Sequence, residues 1–224
     1  MSRASMAIPG SPGTMAPRLV LPRLYAVLDA ERTGGRPVED VCQTLLAAGV
    51  RLFQYRHKGG SSREMLEAVT RLLPMIRSQG GLLIVNDRAD VAFVGDADGV
   101  HLGQQDLPVE LARRALRPGQ GVGCSTHNLE QIRQAAASSA DYLAFGPLFA
   151  TASKEAPDPT VGLDGLAEAR RATSKPLVAI GGITVQNARR AIAHGADSVA
   201  VISGLMDAAD LAGRAREFLS VLNG

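Results

Sequence analysis

The chain has 224 residues, with 24 Lys and Arg against 22 Asp and Glu and a formal net charge of +2 at pH 7. Hydrophobic residues at 46% and charged residues at 21% exclude a disordered chain and are enough to bury a sizeable core. The mixed, nearly neutral charge and the lack of Trp argue against a nucleic-acid binder. Two widely spaced cysteines, Cys42 and Cys124, argue against a disulfide scaffold.

Residues 1–18 hold Pro, Gly, Ser and Met without an apolar centre, and read as a disordered tail rather than a secretory signal. Residues 19–224 read as one domain. No stretch approaches the roughly 18 apolar residues of a membrane span. The expected setting is cytoplasmic, with reduced thiols and neither membrane nor nucleic-acid partners. The sequence does not decide between a monomer and a homo-oligomer.

From residue 19 onward a short run rich in Val, Ile and Leu alternates with an amphipathic helical pattern. The apolar runs cover residues 19–29, 50–57, 82–87, 99–104, 121–126, 141–148, 176–182 and 197–203. Gly49, Gly80 and Gly195 close intervening helical stretches, as helix C-termini prefer. Eight such units predict a parallel sheet covered by helices, and within about 200 residues a (β/α)8 barrel. An open doubly wound sheet is the competing architecture. Gly119, Gly121 and Gly123 give a G-x-G-x-G pattern, but they precede and begin an apolar run instead of following one. They therefore do not support a dinucleotide site.

In such barrels the chemistry lies at the C-terminal ends of the strands. On the second run Gln54, Arg56 and Lys58 alternate with Tyr55 and His57, and a period of two puts the three on one side. If Val50 and Leu52 face the barrel interior, this row carries an amide and two cations into the mouth, where they suit an anion. A solvated strand end is the plainer reading. The third run ends in Asn86 and Asp87, and Asp106 follows the fourth. Neighbouring strands lie about 4.8 Å apart, so the two carboxylates can approach one Mg²⁺; alternatively each caps the helix that follows it.

Gly181 and Gly182 end the seventh run, and Ile202, Ser203 and Gly204 the eighth, where barrels often bind phosphate. After the sixth run a long loop carries Thr151, Ser153 and Lys154, suited to phosphate contact and to closing over the mouth. Ser125 ends the fifth run and faces the same mouth. His127 reads as structural, His194 as a surface residue, Cys124 as a buried inert thiol, and the Met residues as core.

Together these pieces resemble the thiamine-phosphate synthase (thiamine-phosphate pyrophosphorylase) family over about residues 22–220. The matching segments are QYRHK (54–58), VNDRADVA (85–92), HLGQQD (101–106), GCSTH (123–127), FGPLFATASK (145–154), AIGGIT (179–184) and GADSVAVIS (195–203). The resemblance implies a transferase that joins hydroxymethylpyrimidine diphosphate to thiazole phosphate with release of pyrophosphate. It also implies roles at matching positions. Gln54, Arg56, Lys58, Asn86, Ser125 and Lys154 would bind the pyrimidine diphosphate, with Lys58, Ser125 and Lys154 closest to the chemistry. Asp87 and Asp106 would hold Mg²⁺, and Thr151, Ser153, Gly182, Ile202 and Ser203 would bind the thiazole phosphate. His57, Ala150 and Ser153 depart from the family's usual residues. Two rival readings are a thiazole tautomerase on the same barrel, with His127 moving a proton, and a non-catalytic thiazole-phosphate sensor.

Overall fold

A computed structural model of the protein describes residues 21–150 and 158–224. Eight parallel strands close into a barrel in the order of the sequence. They are β1 (Leu24–Asp29), β2 (Leu52–Arg56), β3 (Leu82–Asn86), β4 (Gly99–Leu102), β5 (Gly121–Thr126), β6 (Tyr142–Phe145), β7 (Leu177–Ala179) and β8 (Ser198–Val201). The helices between and after them are α1 (Val38–Ala47), α2 (Ser62–Ser78), α3 (Ala89–Val94), α4 (Val109–Ala115), α5 (Leu129–Ala137), α6 (Gly162–Ala172) and α7 (Val185–Ala193). A short α8 (Ser203–Met206) and α9 (Leu211–Asn223) follow β8. The expected (β/α)8 barrel is the observed fold, and the open sheet is excluded by the pairing of β1 with β8. The Ser198 hydroxyl donates to the Pro22 carbonyl at 2.7 Å and fastens that seam. No helix among the described residues is long and apolar enough to cross a membrane.

Period-two alternation divides the strand residues between two cores. Leu28, Phe53, Leu83, Val85, Val122, Leu143 and Val199 face outward and pack beneath the helices. Tyr25, Leu52, Ile84, Tyr142, Ala144 and Val178 face inward and fill the barrel. Val50 belongs to the outer core. The row that leads to Gln54 and Arg56 therefore begins at Leu52, because β2 itself begins there.

The helices start and stop for local reasons. Ser61 and Glu64 form a capping box at the start of α2, and Asn128 caps α5. Gly49, Gly80 and Gly195 all take positive φ just past α1, α2 and α7, as expected of helix-ending glycines. The apolar runs read from the sequence outreach the strands, since residues 146–148 and 180–182 belong to the loops above β6 and β7.

The G-x-G-x-G stretch is a packing device. A Cβ on Gly123 would lie 2.1 Å from the Tyr142 ring, and one on Gly99 would lie 2.3 Å from the Gly121 carbonyl oxygen. Glycine at these places lets a tyrosine enter the barrel and lets β4 and β5 approach.

The closed end of the barrel repeats one arrangement three times. Asp98, Asp141 and Asp197 stand immediately before β4, β6 and β8. Each accepts a backbone N–H from the preceding strand, at Leu83 (2.7 Å), Val122 (2.7 Å) and Leu177 (2.8 Å). Each is also paired with an arginine from a neighbouring helix, Arg77, Arg113 and Arg170 respectively. Each of these carboxylates therefore has a backbone donor and a cationic partner within the fold itself.

Candidate active site

At the opposite end, the strand termini surround a solvent-open funnel with a cavity of about 160 Å³. Among the described residues its lining includes Gln54, Arg56, Asn86, Ser125, Gly182, Ile202 and Ser203. Five different strands or the loops above them supply these seven residues, so barrel closure is what assembles the site.

Gln54 is buried and donates its amide N–H to the Tyr25 hydroxyl at 2.9 Å. Arg56 sits opposite Asp29 in the β1–β2 register and is ion-paired with it. Asp29 is only 1% exposed, so the arginine satisfies a carboxylate that would otherwise be buried alone, and it is itself held in place. Lys58 lies past the end of β2, at the rim instead of in the funnel wall, and pairs with Asp87.

Asp87 is the first residue beyond β3 and adopts φ +63, a left-handed conformation uncommon for a residue with a Cβ. Its N–H continues the ladder by donating to the His101 carbonyl at 2.8 Å. Asp106 accepts from the Gly103 N–H at 2.7 Å, which turns its carboxyl back toward β4. Burial and the adjoining Asp87 carboxyl together push the Asp106 carboxyl above the usual aspartate range. Neither aspartate caps a helix. The cap positions of α3 and α4 are Arg88 and Pro108, and neither end carries a side-chain cap. The capping alternative is therefore set aside, and two carboxyl groups are left facing one another beside a lysine.

Across the mouth, Gly181 (φ +85) and Gly182 (φ +65) require their lack of a side chain. A Cβ on Gly182 would lie 2.5 Å from the Ala150 carbonyl oxygen, and one on Gly181 would lie 2.4 Å from Pro147. These glycines bring the loops above β6 and β7 into contact and leave backbone at the funnel wall. Thr151, Ser153 and Lys154 lie outside the described residues, as does the tail at 1–18.

His127 Nδ1 donates to the Gly146 carbonyl at 2.5 Å, and its Nε2 lies 3.5 Å from an Asp158 carboxylate oxygen. This bracing of the loop above β6 agrees with a structural histidine. His194 likewise bonds back to Arg190 O, at 2.7 Å. Cys124 is buried and its thiol is pushed up by desolvation, as an inert thiol should be. Met65 and Met206 are core residues.

Four residues important to the site escaped the sequence reading: Tyr25, Asp29, His101 and Tyr142. Tyr25 and Asp29 were visible in principle, because they alternate with Val27 and share its inward face. Tyr142 carried no distinguishing signal, since an aromatic at the start of an apolar run reads as core.

Charged side chains on one half of a barrel mouth and exposed glycine backbone on the other suit an enzyme that handles phosphorylated small molecules. Comparison with known proteins makes the class specific. The sequence model of the thiamine monophosphate synthase family matches residues 24–205. A thiamine-phosphate synthase of Koribacter versatilis is 50% identical over 213 residues, covering 93% of this chain and 100% of that protein. One of Chloroflexus aurantiacus is 44% identical over 201 residues, covering 90% and 93%. A solved thiamine phosphate pyrophosphorylase from Pyrococcus furiosus superimposes with a TM-score of 0.82 at 35% identity, covering 90% of this chain and 95% of that one. The chain belongs to the thiamine monophosphate synthase family.

Proposed function

We propose that this barrel joins hydroxymethylpyrimidine diphosphate to thiazole phosphate, giving thiamine phosphate and pyrophosphate. The observation that carries the reading is the group formed by Arg56, Lys58, Asp87 and Asp106 over β2–β4. Two carboxyl groups that face each other, one of them held above its usual range, are a poor arrangement for a protein alone and a good one for a hard cation. Among the described residues no group of three or more His, Cys, Asp or Glu gathers. Two carboxylates with the remaining positions left to water and diphosphate oxygens are the donor set Mg²⁺ favours. When bound, the ion supplies neutralisation of the diphosphate charge that grows as the leaving group departs.

The chain's own residues do the rest by position. Arg56, fixed by Asp29, presents its remaining N–H donors to the diphosphate, and Lys58 and Lys154 add positive charge as the C–O bond at the exocyclic CH₂ breaks. The electron pair of that bond leaves with pyrophosphate. The ring's amino group stabilises the resulting cation, and the thiazole nitrogen then forms the new C–N bond with its own lone pair. No side chain has to act as nucleophile or base in the bond-breaking step, which fits a funnel whose wall offers donors and cations. Gln54, Asn86 and Ser125 hold the pyrimidine, while Thr151, Ser153, Gly182, Ile202 and Ser203 receive the thiazole phosphate.

The test is pyrophosphate release with both substrates, with and without Mg²⁺. Release that needs both substrates and the metal is the expected result. Folded protein that binds thiazole phosphate but releases no pyrophosphate would overturn the reading in favour of a tautomerase or a sensor.

A further inference from the structure

Below the mouth runs a buried polar string that charge neutralisation does not use. Gln54 Nε2 donates to the Tyr25 hydroxyl at 2.9 Å, and the Tyr25 and Tyr142 hydroxyls lie 3.0 Å apart. The Tyr142 hydroxyl is 3.0 Å from His101 Nδ1, and His101 Nε2 is 2.8 Å from Ser125 Oγ. Four strands, β1, β2, β4 and β6, place the first four members, and β5 places the last. The two tyrosines are each 1% exposed, and the His101 ring stacks on Tyr142 at 5.5 Å between centroids. Gly123 leaves the space that the Tyr142 ring occupies.

The first bond fixes the sense of the others, because an amide nitrogen only donates. Tyr25 accepts from Gln54, so its single proton goes to Tyr142. The Tyr142 proton goes to His101 Nδ1, and the neutral imidazole keeps its own proton on Nε2 and gives it to Ser125 Oγ. Four bonds use four protons. An imidazolium would donate from Nδ1 as well and strand the Tyr142 proton in the barrel interior, at the cost of an unsatisfied buried donor. Burial holds both phenols above their usual range, so both remain donors at neutral pH.

We propose that Tyr25, Tyr142 and His101 are positioning residues forming a one-way hydrogen-bond string that fixes Ser125 as a donor to the ligand. The Gln54 amide oxygen, which no described residue engages, is left as an acceptor. The two ends then select a heteroaromatic ring with an unprotonated ring nitrogen at Ser125 and an exocyclic amine at Gln54. This selection rests on the pyrimidine reading above, whereas the sense of the string does not.

Nitrogen-15 NMR of the full chain without ligand tests the string directly, with the His101 signals assigned by their loss in His101→Asn. The expected signature is a bare Nδ1 and a protonated Nε2. A protonated Nδ1 or an imidazolium at neutral pH would overturn the proposal, whatever the enzyme's substrate. In Tyr142→Phe the tautomer preference should be lost, and KM for the pyrimidine diphosphate should rise about tenfold. KM for thiazole phosphate should stay unchanged. Equal changes in both KM values would mean a merely structural tyrosine and would overturn the positioning role; the wild-type spectrum decides alone if this variant does not fold. For the selection, the pyrimidine diphosphate with its amine replaced by an oxo group should compete at least about a hundredfold more weakly than the amine. Equal competition would overturn the selection. Failure of either compound to bind, with the expected spectrum present, would instead count against the proposed function.

Discussion

The two ends of the barrel use aspartate in opposite ways. At the closed end Asp98, Asp141 and Asp197 each accept a backbone N–H and meet an arginine, so every one of them has both a donor and a charge partner in the fold. At the open end Asp87 and Asp106 are set against each other, with one lysine and one backbone N–H between them. The same residue type is therefore tied into the fold at one end and, on the proposed reading, left available to a cation at the other. Barrels generally divide this way, with stability at the N-terminal face of the strands and chemistry at the C-terminal face.

The sharpest way to break the comparison is to remove one carboxylate from each end. Asp87→Ala should lower metal-dependent turnover by about 10³-fold or more, because a bound cation contributes several kcal/mol to such a step. Its thermal midpoint should stay close to that of the parent. Steady-state pyrophosphate release and a melting curve check both parts, and full activity in Asp87→Ala would sink the metal assignment. Asp141→Ala should do the reverse. It leaves the Val122 N–H without its acceptor and Arg113 without its carboxylate partner, at a cost of about 1–3 kcal/mol of stability. Denaturant unfolding should show that loss, while kcat and both KM values of the folded enzyme should be unchanged.

How much of this division was legible beforehand depended on what each residue's neighbours in sequence reveal. The barrel was readable because each strand and helix announces itself within a few residues, and eight repetitions leave little choice of architecture. Gln54, Arg56, Asn86, Asp87 and Asp106 were readable because polar residues at the ends of apolar runs stand out. What could not be read was any property set by residues far apart in the chain. Asp29 reads as a strand end until Arg56 is placed opposite it. Tyr25 and Tyr142, 117 positions apart, meet only when the barrel closes. The three closed-end aspartates each follow an alanine and precede a strand, a repeat present in the sequence. Its meaning, a bond to the previous strand, exists only in three dimensions. Period two extended below the strand would put Val50 inward with Leu52, and the start of β2 at Leu52 shows where that extension stops.

A smaller effect sharpens the contrast between the two sides of the open end. Gly182→Ala puts a Cβ 2.5 Å from the Ala150 carbonyl and holds an alanine at φ +65. Strain of about 1–2 kcal/mol is expected from the left-handed backbone alone. Because the change falls on the glycine side, KM for thiazole phosphate should rise about tenfold. KM for the pyrimidine diphosphate should move little. Initial-rate measurements with each substrate varied in turn check this, and an equal rise in both would mean that the two sides are not independent.

The smallest expected effect concerns the cost of keeping two carboxyl groups together. The Asp106 carboxyl has a raised pKa in the folded protein, chiefly from burial and then from Asp87. The folded state therefore holds this proton more tightly than the unfolded chain does. The resulting stabilisation is fully present below the ordinary aspartate value of about 4 and is lost as pH rises through the raised one. At neutral pH the folded protein therefore carries an unfavourable charge that Asp106→Asn removes. Metal-free Asp106→Asn should melt roughly 1–3 °C above the parent near pH 7, an effect worth well under about 2 kcal/mol. The gain should shrink as pH falls and vanish below about 4, where the unfolded chain's carboxyl is protonated as well. Melting curves across that range check the sign. A gain in stability joined to a loss of metal-dependent turnover would place Asp106 among residues kept for function at the expense of the fold, the opposite of Asp141.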